Sequence, residues 1–114
     1  MLLILSGIFL LTLHHTLMVI LSFNTLRNFF QKHPHSKEAL IDWHKTMEEA
    51  SFSTFHDVKR AFNSVDCVGN DLYIFNIRGN KYRLITRIHF DIRTVYVRFI
   101  GTHQQYDEIN IRSL

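Results

Sequence analysis

The first 26 residues of this 114-residue chain contain no Lys, Arg, Asp or Glu. A transmembrane helix needs about 20 apolar residues in a row, and Thr12, His14, His15 and Thr16 interrupt this run after Leu11. A secretory signal opens on positive charge and closes on a small-residue cleavage site, and neither is present. The domain is therefore expected to span residues 18–114, from Met18 onward. Residues 1–17 are expected to be an apolar extension, or a misplaced start, outside it. A single cysteine, Cys67, excludes an intrachain disulfide and fits a reducing, cytoplasmic location. There is no P-loop, Rossmann fingerprint or zinc signature, and no internal repeat or low-complexity segment. His14-His15 and His33-Pro34-His35 lack partner ligands at metal spacing, so neither a metal nor any other cofactor is expected. Cys67, between Val65 and Val68, reads as a small buried apolar residue.

What is present describes a folded chain. An apolar content of 46%, with 13% aromatic, is enough for one modest core and excludes a disordered protein. The net charge of +3 is modest, but its distribution is not. Between Arg78 and Arg98 lie six basic residues (Arg78, Lys81, Arg83, Arg87, Arg93 and Arg98) against one acid, Asp91. Such a segment suits a polyanionic partner.

From Met18 the pattern runs strand, helices, strands. Met18–Leu21 is an apolar run suited to a buried strand. Ser22 or Asn24 caps a helix with Leu26, Phe29, Phe30 and His33 at helical spacing, and Pro34, the only proline, ends it. Ser36 is the N-cap expected for a second helix with Ala39, Leu40, Trp43, Met47 and Ala50 on one face. Ser53 or Thr54 opens a third with Phe55, Val58 and Phe62. Beyond Asn63 the period changes to that of strands, at 65–68, 72–77, 82–90 and 94–100, joined by hairpin-length turns. The expected fold class is α+β: helices packed on one face of an antiparallel β-sheet meander.

Alternation places Tyr82, Leu84, Thr86, Ile88 and Phe90 on the core face of the third of these strands. It leaves Lys81, Arg83, Ile85, Arg87 and His89 opposite. In the last strand Val95, Val97 and Phe99 face the core, and Thr94, Tyr96, Arg98 and Ile100 do not. The exposed sets of a hairpin share one face, so Tyr96 stands among cations that match phosphates, and a Tyr can stack on a base. A plain solvated sheet face is the alternative. After the strand, Thr102 and Gln105 have capping-box spacing, which puts His103 and Tyr106 on one side of a short helical turn. An imidazole, a phenol and guanidiniums at one spot can cleave RNA without metal. A base takes the 2′-OH proton, that oxygen attacks the phosphate, cations stabilise the charge, and an acid protonates the leaving 5′-oxygen. A capped turn whose His and Tyr merely pack is the competing reading.

The stretches FNTLRNFFQKHPHSKEALIDWHKTMEEASFSTFHDVKRAFNSVD, YIFNIRGNKYRLI and VYVRFIGTHQQYDEI resemble the HigB-type toxins of bacterial toxin–antitoxin pairs, from about Met18 to Ile109. The resemblance implies a RelE-like fold and an mRNA interferase that is neutralised by a HigA-type helix-turn-helix antitoxin. Its substrate would be mRNA on the ribosome, with no stable membrane association. It makes His103, Tyr106, Arg83, Arg98 and Asp107 the candidate catalytic residues. Of these, His103 or Tyr106 would transfer protons, Arg83 and Arg98 would hold the scissile phosphate, and Asp107 would orient His103 or serve the turn. Lys81, Arg87, His89 and Tyr96 are the candidate RNA-binding residues. A non-catalytic nucleic-acid or protein binding module, and a gyrase-poisoning toxin of related fold, remain the alternatives.

Overall fold

The computed structural model describes residues 17–114. His14, His15 and the rest of the expected apolar extension, Leu17 excepted, lie outside the described residues. The element order is β1 (Val19–Leu21), α1 (Phe23–Lys32), α2 (Lys37–Glu48), α3 (Phe55–Ala61), β2 (Val65–Cys67), β3 (Leu72–Ile77), β4 (Tyr82–His89), β5 (Thr94–Thr102) and α4 (His103–Glu108). The protein is α+β, as the periodicity suggests.

Each helix forms where its apolar spacing and punctuation agree. Leu26 and Phe30 bury one face of α1, and its cap residue His33 precedes Pro34. Leu40, Trp43 and Met47, at i, i+3 and i+7, bury one face of α2. Ser36 stands at the N-cap of α2 without accepting a side-chain bond. Pro34 starts a 3₁₀ turn there, and the Ser36 N–H and hydroxyl both donate back to the His33 carbonyl, at 2.9 and 2.7 Å. Thr54 caps α3 in a reciprocal box with Asp57.

Strands β2 to β5 form the expected antiparallel meander. β1 adds to β5 in parallel, so the five-stranded sheet is mixed, with order β1-β5-β4-β3-β2. β1 is an edge strand, not a buried one: Val19 and Leu21 are exposed while Met18 and Ile20 pack into the core. The main core lies between the helices and one face of the sheet, with Leu26, Leu40, Met47, Val58, Leu84 and Val95 fully enclosed.

The other face is not bare. Leu72, Ile74 and Ile85 form a second small core under Phe99, Tyr106, Ile109, Ile111 and Leu114. Ile85, assigned by alternation to the exposed basic face, is fully buried here. The side assignments of Phe99 and Ile100 are also reversed. The β4–β5 register shifts between Ile85, paired with Phe99, and Thr86, paired with Val97. Arg98 is the extra residue of a β-bulge, and one extra residue inverts the alternation beyond it. Phe99 therefore joins the second core and Ile100 the first. Cys67 is exposed, because three-residue β2 is the far edge of the sheet.

Candidate active site at the β4–β5 hairpin

The open end of the β4–β5 hairpin passes directly into α4. Tyr82 pairs with Thr102 and Arg83 with Gly101. Thr102 then caps the helix. Its hydroxyl accepts from the Gln105 N–H at 3.1 Å, and the Gln105 side-chain oxygen accepts from the Thr102 N–H at 2.8 Å. The His103 N–H donates to the Lys81 carbonyl at 3.1 Å, so the first turn of α4 is fastened to the entrance of β4. Gly101 is required by packing. A Cβ there would lie 2.5 Å from the Phe99 ring and 2.9 Å from the Gln105 side-chain oxygen.

This anchoring brings together most of the candidate catalytic residues. His103 Nδ1 lies 3.0 Å from Asp107 Oδ2 across one turn of α4, with both side chains about half exposed. On the neighbouring strand, the Arg83 guanidinium carbon is 5.8 Å from the Tyr106 ring centroid. Arg83 is steadied from behind by Asn80, donating to its side-chain oxygen at 3.2 Å and its carbonyl at 3.3 Å, and to the Tyr82 carbonyl at 3.4 Å. Lys81 is exposed beside them, and Arg98 is exposed at the bulge, four residues before Thr102. A bulge re-aims a side chain, and here it frees a guanidinium on a strand whose alternate positions are otherwise packed.

The remaining candidates gather elsewhere. Arg87, His89 and Tyr96 stand toward the other end of the same two strands, where Arg87 pairs with Tyr96. His89 lies 3.8 Å from Asp71 and edge-on to Tyr96, with ring centroids 5.6 Å apart. Arg87 donates to the Asn70 carbonyl at 3.3 Å and the Leu114 main-chain oxygen at 2.8 Å. It fastens the C-terminal segment over the second core. Asn80 escaped the sequence analysis, although it sits inside the GNKYR segment, because nothing in its spacing says that its side chain folds back onto Arg83. Among the described residues no group of three or more His, Cys, Asp or Glu could hold a metal ion. His33 instead stacks on Phe29, with centroids 4.4 Å apart.

Comparison with known proteins bears on the same segment. The family model for HigB_toxin, the RelE-like toxic component of a toxin-antitoxin system, matches residues 36–109, more than half of the chain. The chain belongs to the HigB toxin family. It is similar to the mRNA interferase toxin HigB of Escherichia coli (strain K12), 29% identical over 84 residues, covering 72% of this chain and 81% of the relative. The mRNA interferase HigB of Escherichia coli O6:H1 is 30% identical over 81 residues, or 69% of this chain and 79% of the relative. That of Shigella flexneri is 29% identical over 84 residues. The family match spans α2 through α4, so the helix face, the meander and the hairpin turn of this toxin all fall within it.

Proposed function

We propose that this HigB-family toxin is an endoribonuclease that cleaves mRNA through the hairpin–α4 site. The observation that carries the reading is the convergence of Arg83, Tyr106 and the His103–Asp107 pair on one doubly anchored turn. In the reaction, the ribose 2′-oxygen loses its proton to His103 or Tyr106 and attacks the adjacent phosphorus. A 2′,3′-cyclic phosphate forms, the P–O5′ bond breaks, and a proton is delivered to the departing 5′-oxygen. Arg83 and Arg98 stabilise the charge on the phosphate oxygens. Lys81 positions the backbone, and His89 and Tyr96 contact the RNA farther along the strands. Arg87, by its bonding, holds the C-terminal segment. The similar HigB proteins of Escherichia coli, which are mRNA interferases, support this substrate.

On this reading the substrate is mRNA on the ribosome, and the partner is a HigA-type antitoxin. The toxin acts in the cytoplasm, from a domain comprising residues 18–114. Among the described residues, no helix is long and apolar enough to cross a membrane. The test is expression of the chain without antitoxin, beside His103→Ala and Tyr106→Phe, with mRNA 5′ ends mapped by primer extension. New ends in the parent, lost in the variants at equal protein level, are expected. Growth arrest with intact mRNA would replace this reading with gyrase poisoning, and neither arrest nor cleavage would replace it with a binding module.

A further inference from the structure

A groove runs along the solvent side of α2, beside the β3–β4 turn. At one end it widens to a cavity of about 610 Å³, bounded by α2, by Phe62 and Asn63, and by Arg78 and Asn80 of the turn. The buried Trp43 and Phe75 rings, 5.5 Å apart, close its floor, so Ala39 and Phe62 supply its accessible apolar surface. Two recesses of about 410 Å³ each continue the groove past Glu38 and Asp42 to Pro34 and Ile41. Asp42 lines all three hollows, and at the far end Ile41 is 40% exposed.

Glu38 and Asp42 stand one helical turn apart between the two apolar ends. Like charges at that spacing cost a helix stability, and neither carboxylate forms an ion pair among the described residues. Two such carboxylates repel a polyanion, which sets the groove apart from the basic hairpin face. The turn contributes an exposed Arg78, His35 lines the middle recess, and Lys37 closes the far end. We propose that the groove is the docking surface for the antitoxin. The antitoxin seats there a segment that carries a lysine or arginine between two apolar side chains. The inference rests on the reading of this chain as partner to a HigA-type antitoxin, and deepens it by naming the surface. The basic side chain meets Glu38 and Asp42. One apolar side chain covers Ile41 and Pro34, and the other enters the cavity over Ala39 and Phe62. Arg78 takes a carbonyl or carboxylate of the same segment. Apolar anchors supply the affinity of such a contact, and complementary charge fixes its register.

The groove adjoins the RNA-cleaving site through one residue. Asn80 lines the cavity, and its carbonyl and side-chain oxygens accept hydrogen bonds from Arg83 at 3.3 and 3.2 Å. His103, Tyr106 and Asp107 line none of the three hollows. An antitoxin in the groove therefore leans on the turn that steadies Arg83 and leaves α4 uncovered. Neutralisation passes through the position of Arg83, and loss of the His103 side chain leaves antitoxin binding intact.

The test titrates purified HigA-type antitoxin calorimetrically into the full chain, a Glu38→Lys/Asp42→Lys double variant, Ile41→Asp and His103→Ala. Circular dichroism confirms that each variant folds, and RNA binding and cleavage are measured on the same samples with and without antitoxin. The double reversal is expected to weaken antitoxin binding about a hundredfold and Ile41→Asp about tenfold. Both should cleave RNA as the parent does and resist neutralisation, and His103→Ala should bind antitoxin with parental affinity. Glu38→Gln/Asp42→Asn, which removes charge but keeps shape, should lose less than the reversal. Groove variants that bind antitoxin like the parent overturn the proposal. So does a His103→Ala variant that loses the antitoxin, which would place it over α4. Loss of RNA binding in Ile41→Asp with antitoxin binding intact assigns the groove to RNA and likewise overturns it. A parent that cleaves RNA but binds no antitoxin overturns the partner and the groove together, and the nuclease reading stands. A parent that binds antitoxin but cleaves no RNA removes the nuclease reading alone, and the losses in the groove variants still support the groove.

Discussion

Arg83 lies over the ring of Tyr106, its guanidinium carbon 5.8 Å from the ring centroid, and the two residues come from different elements, β4 and α4. An exposed cation–π contact of this kind contributes about 0.5–1 kcal/mol. Tyr106→Phe keeps the ring, the contact and the packing over Ile85, and removes only the hydroxyl. If that hydroxyl transfers a proton, cleavage falls by about 10²–10⁴-fold with the melting temperature unchanged. Single-turnover cleavage and a thermal melt on the same sample separate the two effects.

Asp107 touches His103 at 3.0 Å, but both side chains are well exposed, at 60% and 49%. Exposed pairs contribute at most about 1 kcal/mol, which corresponds to less than a tenfold effect. Asp107→Asn should therefore slow cleavage by less than about tenfold, against a far larger loss for His103→Ala. A loss equal to that of His103→Ala would show that Asp107 itself takes part in the chemistry.

Gly101→Ala should be among the most damaging single-methyl changes in the hairpin. The added Cβ meets the Phe99 ring at 2.5 Å and the Gln105 oxygen that completes the cap at 2.9 Å. Overpacking of this kind costs about 1–3 kcal/mol. Because α4 is displaced with it, cleavage should fall further than stability does, as read by denaturant unfolding and cleavage rate together.

Arg87 and Arg98 should behave in opposite ways. Arg87 makes two hydrogen bonds to main-chain oxygens, and charged hydrogen bonds of this type contribute about 1.5–3 kcal/mol each. Arg87→Met should lower the unfolding free energy and leave the salt dependence of RNA binding unchanged. Arg98→Ala should leave stability intact and reduce the slope of log affinity against log salt by about one. RNA-binding titrations at several salt concentrations decide between them.

Tyr73 is 6% exposed, and burial, with Cys67 beside it, pushes its phenol up to about 12 from an ordinary value of 10. The folded state holds the phenolic proton more tightly than the unfolded chain does. The stability so gained is complete below about pH 10 and is lost as pH rises toward 12. Unfolding midpoints should therefore fall above pH 10, and less steeply in Tyr73→Phe. Asp57 works in the other direction. Backbone N–H groups of Ser53 and Thr54 hold its carboxyl below the usual range, so that the α3 cap weakens on acidification.

Much of the fold was legible because it is decided locally. Pro34 stops α1, the Thr54–Asp57 and Thr102–Gln105 boxes open α3 and α4, and the turns after Cys67 and Ile77 close hairpins within a few residues. The turn carrying His103, Tyr106 and Asp107 was readable for the same reason, since capping spacing alone fixes which side chains share its face. Misplacements appear where one residue answers to a distant strand. Nothing around Arg98 marks it as an unpaired residue, because the bulge exists only in the register between β4 and β5. Val19 and Leu21 are as apolar as a core strand, yet they pair on one side only.

By itself, then, the sequence determined the order of the elements, the caps and the concentration of positive charge between Arg78 and Arg98, all of which depend on neighbours within about one turn or one hairpin. Only the tertiary structure decided which of those charges are free. Arg87 was drawn onto the C-terminal segment, Arg98 was released by the bulge, and Arg83 was set over Tyr106. Only packing of α2 against β3 enclosed Trp43 beside Phe75 and left its indole N–H buried without a partner among the described residues. The physical reason is range. Caps and turns close their hydrogen bonds within a few residues, whereas the register of strands and the filling of a core are settled between segments far apart in the chain.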